Sequence, residues 1–153
     1  MYGEWQAGVP DHTENNSTAS IKGYMMLIGA NVNPDQVLNI TANNLCIGST
    51  YEFSIYIANA VKSPSGLIQP NINFEVRTAT SSHTLLATLS TGNITEYPTL
   101  TWQQYGISFT TPTSSVALLA ISNAPGGSGN DFVIDDVELR ICSTTSPAMC
   151  TAR

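Results

Sequence analysis

Charge is what this sequence has least of. Only 10% of its 153 residues are Asp, Glu, Lys or Arg, against about 25% in an average globular domain. The five basic residues, Lys22, Lys62, Arg77, Arg140 and Arg153, are scattered. No basic patch stands ready to release counterions from a phosphate backbone, which argues against nucleic acid as a partner. Long apolar runs are missing too. Nothing approaches the ~20 residues needed to span a bilayer, and no basic amphipathic stretch suits a membrane surface. Direct membrane insertion is therefore not expected. Met1 to Pro10 lacks the basic start and apolar middle of a signal peptide, so secretion would rely on a leader removed or lying upstream.

The markers of catalysis are equally scarce. Two histidines, His12 and His83, lie in different loops. No His-Glu-x-x-His, Gly-x-Ser-x-Gly or phosphate loop appears. Asp11-His12 offers half of an acid–base pair, but adjacent residues seldom converge and a turn-forming Asp is the better reading. Acids are too sparse for a paired-carboxylate glycosidase. No Cys-x-x-Cys exists, which speaks against a zinc knuckle or a dithiol redox motif. Gly126-Gly127-Ser128-Gly129 precedes a strand rather than a helix, so it reads as a flexible loop, not an anion cradle. The chain is not expected to be an enzyme.

In place of charge the chain carries Thr, Ser and Asn. Thr suits a pleated surface, and Asn and Ser suit turns. Apolar residues recur with period two. Tyr51, Phe53, Ile55 and Ile57 alternate with Glu52, Ser54 and Tyr56; Ile72, Phe74 and Val76 alternate with Asn73, Glu75 and Arg77. This is the mark of strands with one buried face. Helical periodicity is nowhere convincing. Strands are predicted at Tyr24–Ala30, Gln36–Thr41, Tyr51–Ala60, Asn71–Thr78, Thr84–Ser90, Trp102–Thr111, Ser115–Asn123 and Asp131–Ile141. Asn33-Pro34-Asp35, Ser63-Pro64-Ser65-Gly66, Thr111-Pro112-Thr113 and the Ala124–Asn130 loop punctuate them. The continuous apolar runs Met25–Ala30 and Val116–Ile121 predict central strands buried on both faces. The fold class is all-β, an antiparallel β-sandwich or jelly roll of about eight strands. Residues 1–141 form one domain in this reading, and 142–153 a polar C-terminal tail.

Four N-x-Ser/Thr sequons, at Asn15, Asn16, Asn39 and Asn93, are glycosylation candidates and favour an extracellular, secreted or cell-surface location. The cysteines are odd in number. Cys142 and Cys150 are spaced to close a short loop that leaves Cys46 over, and Cys46–Cys142 is the alternative pairing.

Three segments, in order, carry a family likeness: Gly48-Ser49-Thr50-Tyr51-Glu52-Phe53-Ser54, Trp102-Gln103-Gln104-Tyr105, and Phe132-Val133-Ile134-Asp135-Asp136-Val137-Glu138-Leu139. They resemble the galactose-binding-like jelly rolls, a group with many carbohydrate-binding modules and extracellular adhesion-type domains. The likeness covers about residues 10 to 141 and is most specific in the closing strand. It implies a non-catalytic binding or adhesion module whose partner is a glycan or an extracellular protein. It also implies a structural calcium ion with Asp135 or Asp136 among its ligands. Adjacent acids on a strand point to opposite faces unless a bulge intervenes, and a buried carboxylate needs a cation. The opening strand of the family has no counterpart at Met1-Tyr2-Gly3-Glu4-Trp5. A sandwich lacking an edge strand offers a slot to a neighbour's strand, so self-association into an extracellular filament is the alternative function. For glycan binding, Trp5, Tyr56, Tyr97 and Trp102 are the candidate aromatic platform. Asn73, Glu75, Gln103 and Gln104 supply amide and carboxylate edges for sugar hydroxyls.

Overall fold

A computed structural model describes residues 5–6, 8–13, 23–30 and 33–143 of the chain. Eight strands form: β1 (Met26–Gly29), β2 (Asp35–Ala42), β3 (Thr50–Asn59), β4 (Asn71–Thr78), β5 (Leu85–Asn93), β6 (Gln103–Thr110), β7 (Val116–Ser122) and β8 (Asp131–Ser143). They make two four-stranded sheets, ordered β1-β8-β3-β6 and β2-β7-β4-β5. Every pairing is antiparallel. Successive strands alternate between the sheets at both ends of the chain, and this double Greek-key order is a jelly roll.

The period-two pattern decides what lies between the sheets. Tyr51, Phe53, Ile55 and Ile57 of β3 face Ile72, Phe74 and Val76 of β4, with Val116, Leu118 and Ala120 of β7 and Phe132 and Ile134 of β8 beside them. Phe53 and Phe74 meet edge to face across the layers, centroids 5.9 Å apart. Each such fully buried side chain stabilises the fold by about 1.5–3 kcal/mol relative to leaving it in water.

Two expectations need correction. Val116–Ser122 is central in its sheet, as the apolar run implies, but it is not buried on both faces, for Ala117 and Ile121 stay partly exposed. The other run is not central: β1 lies at a sheet edge, with Met26 42% and Leu27 47% exposed. Only Ile28 and Ala30 reach the main core. The cysteines differ as well. Cys142 is a free, exposed thiol, whereas Cys46 is disulfide-bonded, so neither Cys142–Cys150 nor Cys46–Cys142 forms. Cys150 itself lies outside the described residues. Cys46 sits where the chain turns into β3, its backbone N–H donating to the Tyr51 hydroxyl at 2.8 Å. β8 runs to Ser143, two residues past the predicted end of the last strand.

Candidate functional site

The outer faces of the two sheets are built differently. On the first sheet, a second apolar layer begins with Ala58 and Ala60 on and just beyond β3, and Val133 on β8, all buried, with Met25, Leu100 and Trp102 packed on them. Small residues here let the N-terminal strap, the described residues between 5 and 13, come close. Trp5 makes an antiparallel bridge to Val61, and the Gln6 N–H donates to the Ala60 carbonyl at 3.0 Å. The Trp5 indole N–H donates to Asp131 at 3.0 Å, and the Gln6 side-chain amide to the Tyr97 carbonyl at 3.0 Å.

The far end of the strap is fixed by His12. Its imidazole lies on the ring of Tyr56, centroids 3.5 Å apart and planes 20° apart, with Trp102 edge-on at 5.8 Å. Its Nδ1 is 2.7 Å from an Asp136 carboxylate oxygen, and its backbone N–H donates to Asp135 at 2.8 Å. The Thr13 hydroxyl donates to the other Asp136 oxygen at 3.0 Å.

A bulge sets up that cluster. Tyr56 pairs with Asp135 and Ser54 with Glu138, so β8 carries one residue more than β3 between those points. Asp136 takes φ 46°, a left-handed conformation that Asp tolerates better than most residues. The insertion brings both carboxylates to the strap and keeps Ile134 and Leu139, five positions apart, facing the core. The second Asp135 oxygen accepts from the Asp136 N–H at 2.8 Å. All four oxygens of the pair are therefore hydrogen-bonded to protein groups. Among the described residues, no group of three or more His, Cys, Asp or Glu side chains is placed to hold a metal ion.

The platform drawn from the sequence is thus placed but not open. Tyr56 and Trp102 come together, and His12 covers them. Trp5 belongs to the strap. Tyr97 makes no ring contact among the described residues; its backbone instead joins a parallel bridge to Lys62 and accepts from Ser63. All four aromatics are half-buried. His12, read from the sequence as part of a turn, is the group that organises the cluster across 123 positions of chain.

On the second sheet no segment of the described chain lies over β2, β7 and β4. A groove of about 850 Å³ runs across them, floored by Ala117, Leu119 and Ile121 and walled by Gln36, Asn39, Thr41, Glu75, Arg77 and His83. Its polar groups are held by one another. Arg77 Nε meets Glu75 at 2.6 Å while its NH1 donates to the His83 carbonyl at 3.0 Å. The carboxylate partner holds the Arg77 guanidinium pKa above its ordinary value. The Asn39 amide donates to Gln36 at 3.2 Å, and Ser115 to Asn43 at 2.6 Å. Side chains fixed this way lose little freedom when a ligand arrives. Glu75 was named from the sequence, and Asn39 only as a glycosylation candidate; Gln36, Arg77 and the apolar floor were missed as site residues. The signal for them was the outward phase of Glu75 and Arg77 on β4 and the apolar outward phase of β7.

Two further candidates behave as surface groups. Asn39 lies in the groove and Asn93 is exposed at the end of β5. The sequons at Asn15 and Asn16 fall outside the described residues. Asn73, Gln103 and Gln104 do not line the groove. Gln103 accepts from the Tyr105 hydroxyl at 2.6 Å, and burial raises the pKa of that phenol, with Tyr97 adding to the effect.

No family model and no curated protein sequence matches the chain. Solved structures do. The C-terminal domain of EclA, a sugar-binding protein, superposes with a TM-score of 0.58 at 18% identity, covering 92% of each chain. A CBM4 structure matches with TM-score 0.47 and 20% identity, over 68% of this chain and 59% of the other. The CBM22-1 xylan-binding domain of Paenibacillus barcinonensis Xyn10C follows at 0.42 and 13%, over 65% and 59%. The sheet order and the superposition on the EclA domain agree: this chain has a jelly-roll β-sandwich fold.

Proposed function

We propose that this is a non-catalytic glycan-binding domain whose ligand lies in the groove over β2, β7 and β4. One observation carries the reading. The groove joins an apolar floor to amide, hydroxyl, carboxylate and guanidinium groups already oriented by mutual hydrogen bonds. A sugar presents the matching surface, with C–H faces for the floor and hydroxyls that both donate and accept for the walls. Glu75 and Arg77 neutralise each other, so the site suits a neutral oligosaccharide. The sugar-binding description of the EclA domain, which shares the fold over 92% of its length, supports the ligand class. An extracellular location goes with that class.

The test is direct binding of the purified chain to a panel of neutral oligosaccharides, followed by titration calorimetry on the best ligand. The double variant Asn39→Ala/Glu75→Ala is expected to weaken binding at least tenfold, about 1.4 kcal/mol. Tyr24→Ala, at a residue 94% exposed, is expected to leave it unchanged. Binding that ignores the groove substitutions overturns the assignment of the site.

Self-assembly into a filament is a second reading, favoured by β1. This edge strand is four residues long and exposes Met26 and Leu27, as an acceptor of a neighbour's strand would. Light scattering decides: a monomer at high concentration sinks it. Calcium held by Asp135 or Asp136 would share their oxygens with His12 and Thr13. An unchanged melting temperature with chelator, and with added calcium, is expected.

A further inference from the structure

The His12 cluster has the parts of a ligand site with a ring already in it. Tyr56 offers a flat face on the outer side of β3, and Trp102 stands beside it as a wall. Asp135 and Asp136 turn three carboxylate oxygens toward residues 12 and 13, where they meet the His12 backbone N–H, the His12 Nδ1 and the Thr13 hydroxyl, while the fourth accepts from the Asp136 N–H. A ring stacked on an aromatic face, with donors at its rim gripped by carboxylates, is how a hydroxylated sugar ring is held. The His12 ring and the Thr13 hydroxyl make those same contacts from within the chain. The cluster stays half-exposed: His12 keeps 25% of its side-chain surface in solvent and Asp136 36%.

We propose that Tyr56, Trp102, Asp135 and Asp136 form a second glycan site, and that His12 is its built-in competitor. The strap need not unravel to release it. Trp5 and Gln6 hold to Val61, Ala60 and Asp131 through contacts separate from those of His12. Lifting His12 and Thr13 uncovers the Tyr56 face, while Asp11 just before them keeps its buried place. The ligand displaces one carboxylate–imidazole contact, the ring contacts of His12 with Tyr56 and Trp102, and two hydrogen bonds, none of them fully buried. The two sheets would then offer two binding surfaces, one always open and one gated. The sugar class of the ligand rests on the function proposed above; the competition by His12 does not depend on the groove.

The experiment compares glycan-array profiles of the full chain and His12→Gly, each also carrying Tyr56→Ala or the groove pair Asn39→Ala/Glu75→Ala. His12→Gly is expected to gain glycans, or to bind existing ones at least tenfold more tightly. The gain should survive the groove substitutions and vanish with Tyr56→Ala. A folded His12→Gly variant whose profile matches the parent overturns the proposal. A gain that disappears with the groove pair instead assigns it to the groove and also overturns it. If the parent binds nothing while His12→Gly binds through Tyr56, the groove reading fails and this one stands. Should His12→Gly unfold, His12→Asn keeps a donor for Asp136 but removes the ring, and the same outcomes apply.

Discussion

Along β3 and β8 the outer face of the sandwich is covered by the chain itself; along β2, β7 and β4 no segment among the described residues covers it. The residues beneath explain the difference. Ala58, Ala60 and Val133 make a second apolar layer with no charge in it, and such a surface gains by being covered. Ala117, Leu119 and Ile121 are also apolar, but a rim of Gln36, Asn39, Glu75, Arg77 and His83 surrounds them. That rim keeps the floor narrow and wet at its edges, and among the described residues no segment covers it. Apolar content alone does not tell a docking face from a recognition face; the polar groups around it do.

The sharpest way to break this comparison is to put a charge on each face. Val133→Asp places a carboxylate at a site 3% exposed, among Ala58, Ala60 and Met25. Urea unfolding is expected to show a loss of about 3 kcal/mol or more. Ala117→Asp, on the half-buried floor of the open groove, is expected to stay within about 1 kcal/mol of the parent. Equal losses would mean that the second face is also covered.

Tyr56→Ala comes next. It removes the surface on which His12 rests and leaves the main core untouched, since Tyr56 points outward from β3. A loss of about 1–2 kcal/mol is expected, from the stacking contact and the partly buried area. Hydrogen exchange is the discriminating readout. The His12 amide, bonded to Asp135, should lose protection while the amides of β4 and β7 keep theirs.

Much of the sandwich was legible in the sequence because period two is a local signal. Phe53, Ile55 and Ile57, and likewise Ile72, Phe74 and Val76, announce their buried face without reference to any partner. The apolar run of β1 misled because continuity does not separate a strand between two layers from an edge strand beneath a strap. The bulge was legible and went unread. Ile134 and Leu139 differ by an odd number yet both belong to the core, which a regular strand forbids. The His12 socket was half legible: Tyr56 and Trp102 stood out as outward aromatics, but nothing local ties residue 12 to residues 135 and 136. The groove was hardest, because its walls come from β2 and β4, which touch β7 on opposite sides. Only the sheet order brings Asn39 and Glu75 to one trough.

Asp136→Asn sharpens the account of the strap at smaller amplitude. Asn adopts a left-handed backbone as readily as Asp, so the bulge is retained. What is lost is the carboxylate that meets His12 Nδ1, in a contact partly open to solvent. A destabilisation of about 0.2–1 kcal/mol is expected, shrinking with added salt at an acidic pH where the imidazole is charged. A larger, salt-independent loss would show that the bulge, not the ion pair, had been disturbed.

The smallest expected change in stability is on the open face, at Glu75→Gln, within about 0.5 kcal/mol for a surface site. Its interest lies in recognition. Glu75 and Arg77 face each other at 2.6 Å, and the carboxylate cancels the guanidinium charge where the two enter the groove. Gln keeps the shape and an acceptor for Arg77 Nε but removes the negative charge. Arg77 remains protonated at any working pH, so the groove becomes net positive. A ligand held as a neutral oligosaccharide should bind several-fold more weakly, and one carrying a uronate carboxylate more tightly, in a salt-dependent way. Titration of a matched neutral and acidic oligosaccharide pair reads the change. If the preference does not move, Arg77 does not meet the ligand, and the binding surface lies nearer β2, around Gln36 and Asn39.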